Sequence, residues 1–363
     1  MNKPLEFMEI PRRVVFGPQA LRIIGDVVED FSQNRNVVVI SGGVNTSRIA
    51  AEKVIPRIPG KFNIKFLKMK ALSGVEAIKN FYELLSKGEK PGLLVGVGGG
   101  RVLDVTKTLA FLLDLEYISV PTSAANDGIA SPSLSYLLKM DLRKEFGEKI
   151  SMAKAPIAVL ADTEIISQAP SVTLQSGCGD LLSKFVAIRD WELAHKLKGE
   201  NYSEYAASMA LMSAEIIVKR ADAIRAGGEE SARIVVKALI GSGVAMSIAG
   251  SSRPASGSEH LFSHALDLLS RRYGFKPAPH GLQCGIGAIM MMWLHGGDWE
   301  MIKDTLVKVG APVTARDLGI KKEFIIKALV IAHKIRPERY TILGESGLTR
   351  EAAERLARET GVI

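Results

Sequence analysis

Up to about Asp162 the chain alternates two hydrophobic patterns. Short unbroken apolar runs, foremost Asn36-Val37-Val38-Val39-Ile40-Ser41 and Gly92-Leu93-Leu94-Val95-Gly96-Val97, have the length and branching of strands buried on both faces of a parallel sheet. Residues 12–16, 64–68, 117–120 and 157–162 read as further strands. Between them, residues 19–31, a segment opening near Ser47, residues 74–87 and the stretch after Gly98 read as helices. Strand alternating with helix is the doubly wound α/β pattern. From Thr163 the period changes to long helical stretches, at 181–197, 205–225 and 229–249, with no further strand of that quality. The expected fold is therefore α/β plus all-α: a parallel-sheet domain over residues 1–162 and a helical domain over residues 163–363.

Two strand ends carry chemistry. Gly98-Gly99-Gly100-Arg101-Val102-Leu103-Asp104 follows the 92–97 run. Glycines there let the backbone approach a phosphate, and the next helix aims free N–H groups and its positive dipole end at it. The pattern departs from the standard dinucleotide fingerprint, which would need glycine or alanine where Arg101 stands. Glycine costs conformational entropy wherever it is not required, so the run favours pyrophosphate binding and a Rossmann-like domain over a plain turn. The second end is Pro121-Thr122-Ser123-Ala124-Ala125-Asn126-Asp127-Gly128-Ile129-Ala130-Ser131-Pro132, small residues with Asp127 as the only charge. Loops at the carboxyl ends of parallel strands are where such sheets hold ligands. The turn from Ser41 to Arg48 has no acid to grip a ribose hydroxyl, and Arg48 suits a 2′-phosphate, so both NAD and NADP are expected to serve.

The helical half supplies candidate metal ligands. His260 and His264 are spaced i, i+4 within Ser256–Asp267, so on a helix both imidazoles leave one face. His280 follows in Pro279-His280-Gly281, and Asp180 lies in Gly177-Cys178-Gly179-Asp180-Leu181-Leu182. Imidazoles with a carboxylate suit a divalent cation that keeps one position open for chemistry. Ligand types alone leave zinc, iron and nickel open. His195, His295 and His333 have no partner at ligand spacing and read as packing or surface residues. Cys178 and Cys284, close in sequence to Asp180 and His280, sit among small apolar residues and read as packing residues outside the ligand set.

Composition narrows the classes. A chain of 363 residues suits two domains. Two cysteines give no disulfide framework, and Met1 to Arg13 lacks the apolar core of a secretory signal. No apolar run reaches the roughly 18–20 residues of a membrane span. A cytoplasmic protein without membrane insertion is expected. Net charge is +8, but Lys and Arg interleave with Asp and Glu, and aromatics, at 6%, form no stacking platform. No nucleic-acid partner is expected; the positive excess suits an anionic small-molecule substrate.

Taken together, Gly98–Asp104, Pro121–Pro132, Gly177–Leu182, Ser256–Asp267 and Pro279-His280-Gly281 resemble the sn-glycerol-1-phosphate dehydrogenases, of the glycerol dehydrogenase, iron-dependent alcohol dehydrogenase and dehydroquinate synthase superfamily. The likeness runs from Pro11 to the Arg336–Thr341 segment, with one departure: Ala125-Asn126 stands where serine and histidine are expected. It implies a dehydroquinate synthase-like fold and NAD(P)H-dependent reduction of dihydroxyacetone phosphate for archaeal ether lipids, with glycerol or another polyol as the alternative substrate. It implies one zinc ion per subunit on Asp180, His260 and His280, with Asp127, Asp180 and His264 contacting substrate and Asp127 and His264 catalytic. Gly98, Gly99, Gly100, Arg101, Val102, Asp104, Thr122, Ser123, Ala124, Ala125 and Ser131 would line the nicotinamide cofactor. A homo-oligomer is implied, and Lys184 and Arg253 are placed to meet a substrate phosphate.

Overall fold

The computed structural model describes residues 8–147 and 153–363. The extreme N-terminus and the end of the charged 141–149 segment lie outside the described residues.

The apolar runs form β1 (Arg13–Gly17), β2 (Asn36–Ser41), β3 (Asn63–Lys68), β4 (Leu93–Gly98), β5 (Tyr117–Pro121) and β6 (Ala158–Asp162). They make one six-stranded sheet in the order β1-β6-β5-β4-β2-β3, parallel at every pairing. The unbroken run in β2 has a simple cause, because side chains alternate faces. Val38 and Ile40 pack with Ile78, Phe81 and Leu109 on one side, whereas Val37 and Val39 pack with Ile24, Val28 and Val54 on the other. Edge strand β3 is buried at Leu67 alone, and its charged residues face solvent. The chain order reverses between β2 and β4, so the turns after these two strands flank the switch point where doubly wound sheets hold ligands.

Two sequence expectations change in detail. The stretch 181–197 is not one helix: Ser171–Leu182 ends at Ser183 and Lys184–Lys198 begins behind it. The Ser183 hydroxyl donates to the Asp180 carbonyl at 2.7 Å, a back-bond that competes with the helix ladder. Residues 205–225 likewise divide at Arg220 into Glu204–Lys219 and Ala221–Arg225.

The chain divides into two compact units. The first takes the described residues of Met1–Ala124 and Gly128–Ala169 together with Gly228–Ser247; the second takes Ala125–Asp127, Pro170–Gly227 and Ile248–Ile363. Three segments thus cross the single boundary expected after Asp162. Residues 163–169 stay with the sheet, and Gly228–Ser247 joins them: Thr163 Oγ1 bonds the Glu229 carboxylate, and the Arg233 guanidinium lies 5.9 Å from the Phe16 ring centroid. The helix Gly228–Ala249 is long and apolar enough to cross a bilayer by length and composition, with 61% of its most apolar window buried in the protein. All regular elements of the second unit are helical among the described residues.

Candidate metal centre

Within the second unit, separate helices deliver the candidate ligands. Asp180 stands near the end of Ser171–Leu182; His260 and His264 lie in Ser258–Tyr273; His280 opens His280–Leu294 behind Pro279. Glycine makes the approach possible. A Cβ on Gly281 would stand 1.9 Å from the Ser176 carbonyl oxygen, and one on Gly179 would stand 2.2 Å from the Gly281 carbonyl oxygen. Gly281 N–H donates to Ser176 Oγ at 3.1 Å. No side chain fits between these helices, and their contact brings Asp180 and His280 together.

Ligand atoms of Asp180, His260, His280 and Cys284 all lie within 4.8 Å of one another. His260 Nε2 is 3.6 Å from Asp180 Oδ1. Two nitrogen or oxygen ligands about 2.0–2.1 Å from a tetrahedral ion stand about 3.3–3.4 Å apart, so this spacing fits a shared cation. Asp180 is 1% exposed, and its Oδ1 has no partner in the hydrogen-bond geometry beyond the Lys184 ammonium 3.2 Å away. A buried carboxylate oxygen in that condition suits a cation. Cys284 is different: its Sγ lies 3.8 Å from His280 Nδ1 and 3.5 Å from Nε2. A sulfur sharing an ion with Nε2 would be much farther from Nδ1, so the thiol stands beside the imidazole ring and not across a shared ion from Nε2. His264, Asp267 and His280 also offer ligand atoms within 4.8 Å. That grouping fits less well, because Gln283 Nε2 already donates to Asp267 Oδ1 at 2.9 Å.

The His264 ring lies parallel to that of His280, centroids 5.6 Å apart and planes at 9°. Asp127 belongs to the same cluster: its N–H donates to Asp180 Oδ2 at 3.1 Å, and its Oδ2 pairs with Lys184 Nζ at 2.9 Å. Lys184 Nζ also lies 3.2 Å from Asp180 Oδ1. Burial and the Asp127 charge push Asp180 up to about 7, with Lys184 pulling the other way. Burial opposes the Lys184 charge, but Asp127 and Asp180 outweigh it and hold the ammonium above the ordinary lysine range. Burial, then the charges of His280, Lys184 and His264, hold His260 well below the ordinary imidazole range. It is the neutral form, the one that binds metals. Burial, then Asp180 and Glu259, keep Cys284 a thiol, and burial raises Cys178 to about 12.

In the first unit, a Cβ on Gly98 would meet Val102 Cγ2 at 2.6 Å, so glycine seats the helix Gly100–Leu113 tightly on the end of β4. No side chain caps that helix, which leaves first-turn N–H groups for an anion. Thr122 N–H donates to the Gly98 carbonyl at 3.0 Å, and the Ser123 hydroxyl would lie 3.2 Å from a Cβ on Gly99. Gly98, Gly99, Thr122 and Ser123 therefore stand together at the carboxyl ends of β4 and β5. Arg101 is exposed beside them. Val102 is buried, and Asp104 Oδ2 accepts from Ser135 N–H at 3.1 Å, so these two side chains shape the turn. Ala124 and Ser131 are fully buried, and Ala125, in the second unit, accepts from Ser176 Oγ at 3.0 Å.

Neither cation offered for a phosphate presents its charge. Lys184 is fully buried between two carboxylates, and Arg253, 3% exposed, pairs with Glu200 and donates to the Tyr340 carbonyl at 2.9 Å. Two buried carboxylates escape a reading by motif. Glu259 Oε1 meets His260 Nδ1 at 2.8 Å, and burial with the nearby Asp190 charge raises Glu259 to about 8. Asp190 accepts from Ser258 N–H and Oγ, both at 2.6 Å, and from Ile342 N–H at 2.7 Å. It also bonds His295 Nε2 at 3.0 Å, which gives that histidine a packing role. A polar residue beside each motif was the signal available, but burial was not legible.

A doubly wound parallel sheet with an uncapped helix after a glycine turn, and a helical unit carrying an aspartate and histidine cluster, are the parts of a metal-dependent dehydrogenase. The family description for iron-containing alcohol dehydrogenases matches residues 15–170. A probable glycerol dehydrogenase from Sinorhizobium meliloti shares the fold at a TM-score of 0.75 and 19% identity, covering 99% of this chain and all of that one. The glycerol-1-phosphate dehydrogenase [NAD(P)+] of Korarchaeum cryptofilum is 56% identical over 87% of this chain and 99% of its own. That of Methanothermobacter thermautotrophicus is 50% identical over 98% and 99%. The chain belongs to the glycerol-1-phosphate dehydrogenase family.

Proposed function

We propose that the protein reduces dihydroxyacetone phosphate to sn-glycerol 1-phosphate with NADH or NADPH, using one zinc ion per subunit. It acts in the cytoplasm, as a homo-oligomer, to make the backbone of archaeal ether lipids. The observation that carries this reading is the convergence of Asp180, His260 and His280 in a chain half identical to two relatives of that name.

A divalent cation held by Asp180, His260 and His280 supplies Lewis-acid polarisation of a carbonyl, and the nicotinamide supplies hydride. The protein's own groups do the rest. Gly98, Gly99, Thr122 and Ser123 hold the dinucleotide, aided by Gly100, Arg101 and the loop through Ala124, Ala125 and Ser131, on a turn shaped by Val102 and Asp104. Lys184 offsets the charges of Asp127 and Asp180, so the site can take an anionic substrate without gathering uncompensated negative charge. His264, parallel to His280, is placed to give a proton to the substrate oxygen, while Asp127 positions the substrate.

The test is to assay the metal-loaded protein with dihydroxyacetone phosphate and with dihydroxyacetone, using both nicotinamides, and to determine the product's configuration. Strong preference for the phosphorylated substrate and an sn-1 product are expected. Equal use of the unphosphorylated ketone, or of glycerol in the reverse direction, would point to a polyol dehydrogenase.

A further inference from the structure

The two candidate ligand histidines are held differently. His280 Nδ1 lies 3.0 Å from the Ser263 hydroxyl, which can donate or accept. His260 Nδ1 meets Glu259 Oε1 at 2.8 Å, and the same oxygen accepts from Gly257 N–H at 2.8 Å. An oxygen that already accepts from a backbone N–H has acceptor work to do there, so the proton of the neutral His260 ring belongs on Nδ1. The lone pair then sits on Nε2, 3.6 Å from Asp180 Oδ1. Glu259 itself is fully buried, and its Oε2 makes no hydrogen bond. An apolar side chain of similar volume would pack there at lower desolvation cost, so packing alone does not account for a carboxyl group.

We infer that Glu259 is a positioning residue for the metal: it accepts from His260 Nδ1–H, fixes the tautomer and aims Nε2 at the cation. The inference rests on the reading of Asp180, His260 and His280 as a divalent-metal site. A carboxylate behind a ligating imidazole fixes its orientation and raises its basicity, and losing such a partner costs about 10–100-fold in metal affinity.

The experiment uses the full chain, stripped of metal, as wild type, Glu259→Gln, Glu259→Leu and His260→Ala. Zinc affinity is measured by competition with a chromogenic chelator, ligand geometry by the visible spectrum of the cobalt-loaded protein, and fold by thermal unfolding without metal. Glu259→Leu should bind zinc about 10–100-fold more weakly than wild type, Glu259→Gln, which keeps an acceptor oxygen for Nδ1–H, should lose less, and His260→Ala should lose more. The cobalt spectrum of Glu259→Gln should shift, and its metal-free form should unfold no earlier than wild type, because a buried carboxyl is gone. A zinc affinity within about threefold of wild type in Glu259→Leu would overturn the inference, well short of the loss expected for an imidazole partner. Failure of Glu259→Gln to fold would also overturn it, by making the residue structural. If wild type binds no zinc, the metal reading itself falls, and that arm separates the two failures.

Discussion

Lys184 Nζ stands 2.9 Å from Asp127 Oδ2, an ion pair with a fully buried ammonium. The same ammonium lies 3.2 Å from Asp180 Oδ1, so one cation answers two carboxylates. Replacing Lys184 with methionine keeps much of the volume and leaves both acids uncompensated. Removing one partner of a buried pair costs about 3–5 kcal/mol, and the metal-free protein should lose about that much stability. A divalent cation would restore much of it, so the loaded variant should lose less. Thermal unfolding with and without zinc measures both. An equal loss in the two states would show that the cation does not share those carboxylates.

Gly281 gives a packing test of the same site. A Cβ there would fall 1.9 Å from the Ser176 carbonyl oxygen, a backbone atom that cannot swing aside. Gly281→Ala must therefore part Ser171–Leu182 from His280–Leu294, the helices that bring Asp180 and His280 together. Overpacking of this kind costs about 1–3 kcal/mol or more, and zinc affinity should fall with it. Calorimetry and zinc titration check the two effects. Unchanged affinity would mean that the ligands do not depend on this contact.

How much of this the amino-acid sequence carries on its own differs by element. Val37–Ile40 announced a doubly covered strand because both its faces are apolar, and that is a local property of the sequence. The i, i+4 spacing of His260 and His264 was legible for the same reason. The break at Ser183 was not, since a serine in a helical pattern is common and its bond to the Asp180 carbonyl leaves no mark in the sequence. Nor was the transfer of Gly228–Ser247 to the sheet unit, which depends on partners such as Thr163 and Phe16 distant in sequence. Lys184 was placed near Asp180 by spacing, but spacing does not reveal burial. Its charge is taken up by carboxylates and is not available for a phosphate.

Asp180 and His264 should separate metal binding from proton transfer. Asp180→Asn removes a charged ligand, so zinc should be lost and activity should fall by more than about 100-fold, beyond the range for groups that merely support a ligand. His264→Gln should keep zinc near one per subunit and lower kcat by about 10²–10⁴-fold, the contribution of a positioned acid. Metal analysis beside steady-state kinetics checks both. Loss of zinc in His264→Gln would place His264 among the ligands and end its assignment as the proton donor.

The Asp180 carboxyl also sets a pH dependence with a definite sign. Burial, then the Asp127 charge, raise it to about 7 in the metal-free protein, from an ordinary value of 3.8. Below about 7 a cation must displace this proton, so apparent zinc affinity should fall by up to about tenfold per pH unit on acidification and level off above it. His260 adds little competition there, because burial and its charged neighbours hold it well below the imidazole range. Stability of the metal-free protein runs the opposite way. The folded state keeps a proton that the unfolded chain has released, so this contribution is fully present below 3.8 and is lost as pH rises through about 7. Between about pH 5 and 8, zinc affinity should therefore climb while the metal-free contribution from Asp180 declines. Zinc titrations and denaturant unfolding across that interval measure both slopes. Zinc affinity that stayed flat through pH 7 would show that Asp180 carries no proton for the metal to displace.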